Sequence, residues 1–449
     1  MLNLLLFVTT YISGFLLAVL HNPIWAFLLY QVVYFMNPLN RWWSGPLPGL
    51  SYSMFTVLLM FAVFVIEYKQ HAKNKLLKAP QFKWMYLIAV GYIVAQAYAS
   101  LPALNQEAAT NYIKMVIILS VAYKLVDTDM KLSGILWAYI AGAGYLGFLI
   151  YQTGRNAAGR VEGVGTVDAP DANGIAAAIA PSLVLALYYF WISKKLWARG
   201  LIVLAGAFIG NAIVLINSRA SFIAVIIGVG YFLLYMFFSK HQRDKQKASA
   251  VMVVLLGLLA ASVVIDETAI NRFFSIKEQQ LTEEQETGAT RVFFWLAAME
   301  MVKDHPLGAG AFGFEAHAPD YLPRDMDTGG SRNRSVHSSW FEALTDLGFP
   351  GIFFLIMMIK ACFWSTRRAK RAVVSRQEYN QYYKVVAIEA AFITFIVAMS
   401  FMNRFRAEIL YWCVLFTACA YNIYVLKYQN QSIPKKRRPL LRTADHATE

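Results

Sequence analysis

Apolar runs of about 17–25 residues recur along the chain, separated by short polar segments. Wound as helix, a run of that length covers a bilayer core of roughly 30 Å. Thirteen segments fit: roughly 2–20, 23–37, 52–67, 84–100, 109–126, 131–153, 173–193, 200–217, 220–238, 249–265, 345–363, 385–402 and 406–426. None alternates with the period of two that a transmembrane β-barrel requires. The pattern predicts an all-α polytopic membrane protein with 12–13 transmembrane helices. The alternative at the N-terminus is that the two short, uncharged runs form a hairpin that does not fully cross. The first twenty residues lack a basic leader and a small-residue cleavage site, so they are expected to stay as an uncleaved helix.

One long segment, 266–344, is polar enough to lie outside the membrane, yet it carries helical periodicity of its own. In "TRVFFWLAAMEMVKDHPLGAG", Thr290 is placed to cap a helix whose apolar positions Val292, Trp295, Leu296, Met299 and Val302 recur on one stripe; His305–Pro306 ends it. Such a helix is expected to lie on the membrane face. Further on, "SSWFEALTDLGFPG" places Phe341, Leu344 and Leu347 at helical spacing before a Gly–Phe–Pro–Gly break.

Composition agrees with this reading. The hydrophobic fraction is 58%, charged residues make up 15%, and the mean hydropathy of +0.45 excludes a soluble multidomain chain. The net charge of +14 would suit a nucleic-acid partner, but its placement points to a bilayer. Segments 68–83, 194–199, 239–247, 363–384 and 427–442 hold five, three, four, six and six basic residues, 24 of the 41 in the chain. By the positive-inside rule all five face the cytoplasm. Every two of them are separated by an even number of predicted spans. The expected organisation is an N-terminal transmembrane region over 1–199, a transmembrane core over 200–426 that includes loop 266–344, and a basic cytoplasmic tail over 427–449. Segment 154–172, the turn Asn217–Ser218–Arg219 and loop 266–344 then face outward.

The outward face collects the reactive groups. Arg219, in "INSRASFIAV", sits between two nearly charge-free helices on the side where the rule disfavours a cation, which marks it as a functional candidate. Arg291 lies in the first turn of its helix, where free N–H groups and the helix dipole favour an anion, and its guanidinium fork adds bidentate phosphate binding. "RNRSVHSSW" brings Arg332, Arg334 and His337 to a helix start; a neutral imidazole there can accept a proton from a hydroxyl. "GRNAAGRVEGVGTVDAPDANG" adds Arg155, Arg160, Asp168, Asp171 and Asn173 on a glycine-rich loop suited to close approach of a ligand. Arg404 and Arg406 face outward as well, either in a basic vestibule or against lipid headgroups. Cys362, Cys413 and Cys419 all fall in or beside spans, which argues against disulfides and thiolate metal sites. Two D-x-D triplets, Asp127–Thr128–Asp129 and Asp325–Met326–Asp327, are too short to argue for a metal, and none is expected. The run Glu283, Glu284, Glu286 reads as a solvated surface. No P-loop, dinucleotide fingerprint or hydrolase elbow is present. Arginines beside a histidine suit a lipid-linked pyrophosphate leaving group and an acceptor hydroxyl.

"NSRASFIAVIIG", "RVFFWLAAMEMVKDHPLGAGAFGF" and "VHSSWFEALTDLGFPGIFFLIMM" resemble, in order and spacing, the core of the O-antigen ligase/polymerase superfamily over roughly 200–400. "HNPIWAFLLYQVVYFMNPLNRWW" is similar to the exosortase-associated O-glycosylation ligase subgroup. The resemblance implies a GT-C-like glycosyltransferase of the bacterial inner membrane, with its active site and large helical loop in the periplasm. The expected partners are an undecaprenyl-pyrophosphate-linked glycan donor and a lipid, protein or polysaccharide acceptor, with no nucleic acid and no cofactor or metal. His337 matches the family's essential histidine, and Arg219 and Arg291 its pyrophosphate-binding arginines. Arg160, Asn173, Arg332 and Arg334 are further substrate-binding candidates; "DAPDANGIA" departs from the Asn-Pro-Asn form common at that loop. A polymerase extending lipid-linked repeat units is the alternative within the same chemistry. A transporter of a lipid-linked sugar is the alternative outside it, and the scarcity of charges within the spans, apart from Glu389 and Glu408, disfavours that.

Overall fold

The computed structural model describes residues 1–39, 41–156, 161–166, 168–264, 290–326 and 331–428. Those residues are all-helical, with no strand among them. In chain order the helices are α1 (Leu2–Leu20), α2 (Ile24–Met36), α3 (Tyr52–Ile66), α4 (Tyr68–His71), α5 (Pro80–Ala95), α6 (Pro102–Leu125), α7 (Asp129–Thr153), α8 (Ala172–Ile192), α9 (Leu196–Ile216), α10 (Arg219–Phe238) and α11 (Gln246–Val264). They continue with α12 (Thr290–Asp304), α13 (Gly313–Tyr321), α14 (Ser339–Ser375), α15 (Tyr379–Met399) and α16 (Glu408–Tyr421), which runs on as a π-helical turn to Leu426.

Each of the thirteen apolar runs falls on one of these helices. Among the described residues, eight helices are long and apolar enough to cross a membrane, or nine if α3 and the segment to Lys78, bent by 84°, form one broken span. The chain is thus a multi-pass membrane protein. The difference from 12–13 comes from length and polarity. The 13 residues of α2 and 16 of α5 reach only ~20–24 Å. The first turns of α6 carry Asn105, Gln106 and Glu107.

Burial orders the bundle. The apolar window of Glu408–Leu426 is 94% buried and that of α15 is 83% buried, so these two helices form the centre; α1, at 22%, lies on the outside. Trp412 anchors the centre, with the rings of Tyr34, Phe35 and Tyr139 at 5.0, 5.9 and 5.8 Å. All three cysteines are buried there or beside it.

Helix α14 is two helices joined at Gly348, whose φ of 65° and ψ of −158° break the spiral at the predicted Gly–Phe–Pro–Gly step. Side chains rarely adopt that backbone, and a Cβ there would strike the Pro306 carbonyl. In α12 the helix forms as expected, but its protein-facing side is Phe294, Ala297, Ala298 and Met301. Of the predicted stripe, Val302 is buried, while Val292, Leu296 and Met299 are exposed, as a stripe on the membrane face would be.

Candidate functional site

The turn that joins α15 to α16, residues 400–407, gathers the distant segments. Arg291, in the first turn of α12, donates from Nη1 to the carbonyl of Phe401 at 2.9 Å. Ser338 N–H donates to Asn403 Oδ1 at 3.2 Å, Ser339 Oγ donates to the Met402 carbonyl at 2.8 Å, and Arg404 N–H donates back to Ser339 Oγ at 2.7 Å. Ala220, next to Arg219, packs with Ala177, Ala398, Met402 and the partly buried Phe401. Three segments spread over 118 positions thus reach residues 401–403: Arg291 by its own side chain, and the segments of Arg219 and His337 through the adjacent Ala220 and Ser338.

Their settings differ. Arg219 opens α10 after Asn217, which takes the left-handed conformation (φ 57°) that makes the reversal from α9. Its Nη1 is buried with no hydrogen-bond partner among the described residues. A buried guanidinium nitrogen in that state calls for an anion. His337 is half-buried with φ 51°, a conformation costly for a residue with a Cβ. The strain persists because the backbone is held on both sides: Trp295 Nε1 donates to the Val336 carbonyl at 3.1 Å, and Asn403 binds Ser338 N–H. The imidazole lies 5.9 Å from the Phe294 ring, with Ser335 Oγ 3.3 Å from Nε2.

Several residues missed in the sequence complete the surroundings. Asn403 Nδ2 donates to Glu315 Oε1 at 3.4 Å, and Phe405 N–H donates to Glu342 Oε2 at 2.9 Å. Burial pushes the Glu315 carboxyl up to about 7, and neighbouring Glu342 adds to this. On α13 as well, burial lowers His317, whose ring lies 4.6 Å from that of His305, tilted by 38°. Nothing in the local sequence distinguishes Asn403 or Glu315 from other polar loop residues.

The arginines expected to face outward divide by partner. Arg404 donates to the Asp168 carbonyl at 2.6 Å and pairs with Asp171, the residue that caps α8. Gly174 leaves the space that the Arg404 guanidinium occupies. Arg406 binds Glu342 at 3.1 Å and Asp346 at 2.7 Å, and stacks on Phe312. Neither stands in an open vestibule; both clamp the turn. Arg155 donates to the carbonyls of Leu215 and Val214, at 2.9 and 2.8 Å. Arg332 donates to the carbonyls of Leu322, Pro323 and Met326, at 2.9, 2.9 and 3.3 Å, which folds its loop and engages its guanidinium. Arg334 is half-buried nearby, and Asn173 is exposed in the first turn of α8, two residues from the Arg404–Asp171 pair. Arg160, Asp327 and the run Glu283, Glu284, Glu286 lie outside the described residues. Asp325 is exposed. Asp127 and Asp129 sit at the other end of the bundle in lysine pairs, Asp127 with Lys131 at 2.8 Å and Asp129 with Lys384 at 2.6 Å.

No curated protein matches the chain. Residues 204–356 match the family model described as O-antigen ligase, a span that contains Arg219, Arg291 and His337 but not the 400–407 turn that their segments reach. The stretch from 204 to 356 is accordingly an O-antigen ligase domain, which supports the resemblance to the O-antigen ligase superfamily.

Proposed function

We propose that this protein is a glycosyltransferase of the bacterial inner membrane that moves a glycan from undecaprenyl pyrophosphate to an acceptor hydroxyl on the periplasmic side. The reading is supported above all by the approach of Arg291 and of the residues next to Arg219 and His337 to residues 401–403, with Arg219 Nη1 buried and without a hydrogen-bond partner among the described residues. On this proposal Arg219 and Arg291 hold the pyrophosphate. His337 takes the acceptor's proton, the acceptor oxygen bonds to the anomeric carbon, and the bond to the pyrophosphate oxygen breaks with its electron pair. Guanidinium charge stabilises the anion that leaves. One direct displacement inverts the anomeric centre. Arg334, Asn173 and Arg160 are proposed to contact more distant parts of the donor or the acceptor; Arg332 would act from the loop it closes.

The test is glycan transfer from a purified lipid-linked donor by His337→Ala, Arg219→Ala and Arg291→Ala variants that reach normal membrane abundance. Loss of about a hundredfold or more is expected for His337→Ala, the usual contribution of a positioned general base. Full activity in all three variants overturns the assignment. The same assay with a second lipid-linked unit as the sole acceptor distinguishes polymerisation, as a ladder of lengthening product.

A further inference from the structure

The basic residues of segment 363–384 mark sidedness in the sequence, and three of them also build a cavity. A space of about 530 Å³ lies between α14, α15 and the segment that joins α10 to α11. Arg367, Lys370 and Arg371 line it from α14, His241 from the joining segment, and Tyr382 and Glu389 from α15. Roughly 30 Å of helix separates Gly348 from Arg367, which puts this cavity at the end of the bundle away from His337.

Its charges are not balanced. Glu389, its sole carboxylate among the described residues, is bound by Lys370 at 2.9 Å; Lys370 also donates to Tyr235 at 3.2 Å and rests over that ring. Arg367 and Arg371, one turn apart and exposed, have no hydrogen-bond or ion-pair partner among the described residues. Arg368, on the same turn, behaves as an ordinary interfacial cation: it stacks on the exposed Trp364 at 4.5 Å and does not line the cavity. Two unpaired guanidinium forks over a cavity with apolar walls at Phe363 and Val374 suit a phosphoryl anion that carries an apolar body. We propose that this cavity binds the phosphoryl group of an acidic phospholipid, at the membrane face opposite the candidate site.

The full chain, purified in neutral detergent, would be titrated with short-chain phosphatidylglycerol and, separately, with inorganic phosphate, and bound ligand read by native mass spectrometry. Saturable binding of phosphatidylglycerol is expected. It should weaken about fivefold for Arg367→Gln or Arg371→Gln and about 25-fold for the pair, at roughly one surface cation's contribution each. Arg368→Gln, an equal loss of charge one position away, should leave it unchanged. Equal saturation by inorganic phosphate, with the same dependence on Arg367 and Arg371, supports the phosphoryl site and assigns it to a soluble ligand. No saturable binding of either, binding indifferent to the double variant, or an equal loss in Arg368→Gln overturns the proposal.

Discussion

His337 is held in a left-handed conformation by neighbours that touch its backbone on both sides. Strain of that kind costs on the order of 1–3 kcal/mol and survives only where surrounding bonds over-determine it. Asn403 is the residue whose removal should release it. In Asn403→Ala, Ser338 N–H loses its acceptor while the imidazole stays intact, so the turnover rate for glycan transfer should fall by about tenfold or more with little change in KM. An unchanged turnover rate would mean that Asn403 does not position the histidine. Glu315 gives a separate reading at this scale. Its carboxyl is raised to about 7 in the folded protein against 4.5 for the free group. Below pH 4.5 both states hold the proton. From 4.5 to 7 the unfolded chain releases it and the folded chain does not, so stability falls as pH rises, by up to about 3 kcal/mol, and levels off above 7. Glu315→Gln should flatten that slope in thermal unfolding in detergent between pH 4.5 and 8.

At the scale of elements, α8 is tied to the α15–α16 turn by one clamp. Asp171 caps α8 and binds Arg404, and the guanidinium fits because residue 174 has no side chain. Gly174→Ala should push Arg404 off Asp171 and the Asp168 carbonyl, at a loss of about 1–3 kcal/mol for charge-assisted bonds in a buried setting. Gly200→Ala, in α9 with open space around it, is the matched control and should stay within about 0.5 kcal/mol of the parent in the same unfolding assay. Helix α12 shows how an element is legible while its orientation is not. Its end before His305 follows from local proline chemistry and is observed. Which face turns inward was decided by α13 and the 331–338 segment, which supply Phe314, Ala318 and Val336 to meet Phe294, Ala298 and Met301.

For the whole molecule, the even spacing of basic segments makes a topological prediction. Reporters fused after Glu449 should register cytoplasmic, and a cysteine placed at the exposed Asn173 should react with a membrane-impermeant reagent from outside. Labelling of that cysteine only after the cells are opened would reverse the assignment. The bundle centre also answers the transporter alternative in part. The two clearest intramembrane acids are engaged within the protein: Glu389 with Lys370, and Glu408 as acceptor from Tyr30 at 2.7 Å.

Segment length and apolarity are properties of consecutive residues, so the positions of the helices, the absence of strand among the described residues and the membrane class could be read along the chain. The residue blocks around Arg219, Arg291 and His337 carried the family for the same reason: each motif is local. What the chain could not disclose is pairing across distance. A guanidinium reads alike whether one of its nitrogens is buried without a partner among the described residues, as in Arg219, or is consumed by carbonyls and carboxylates, as in Arg332, Arg404 and Arg406. That choice rests on which groups packing brings within about 3 Å, and only the folded bundle sets those distances.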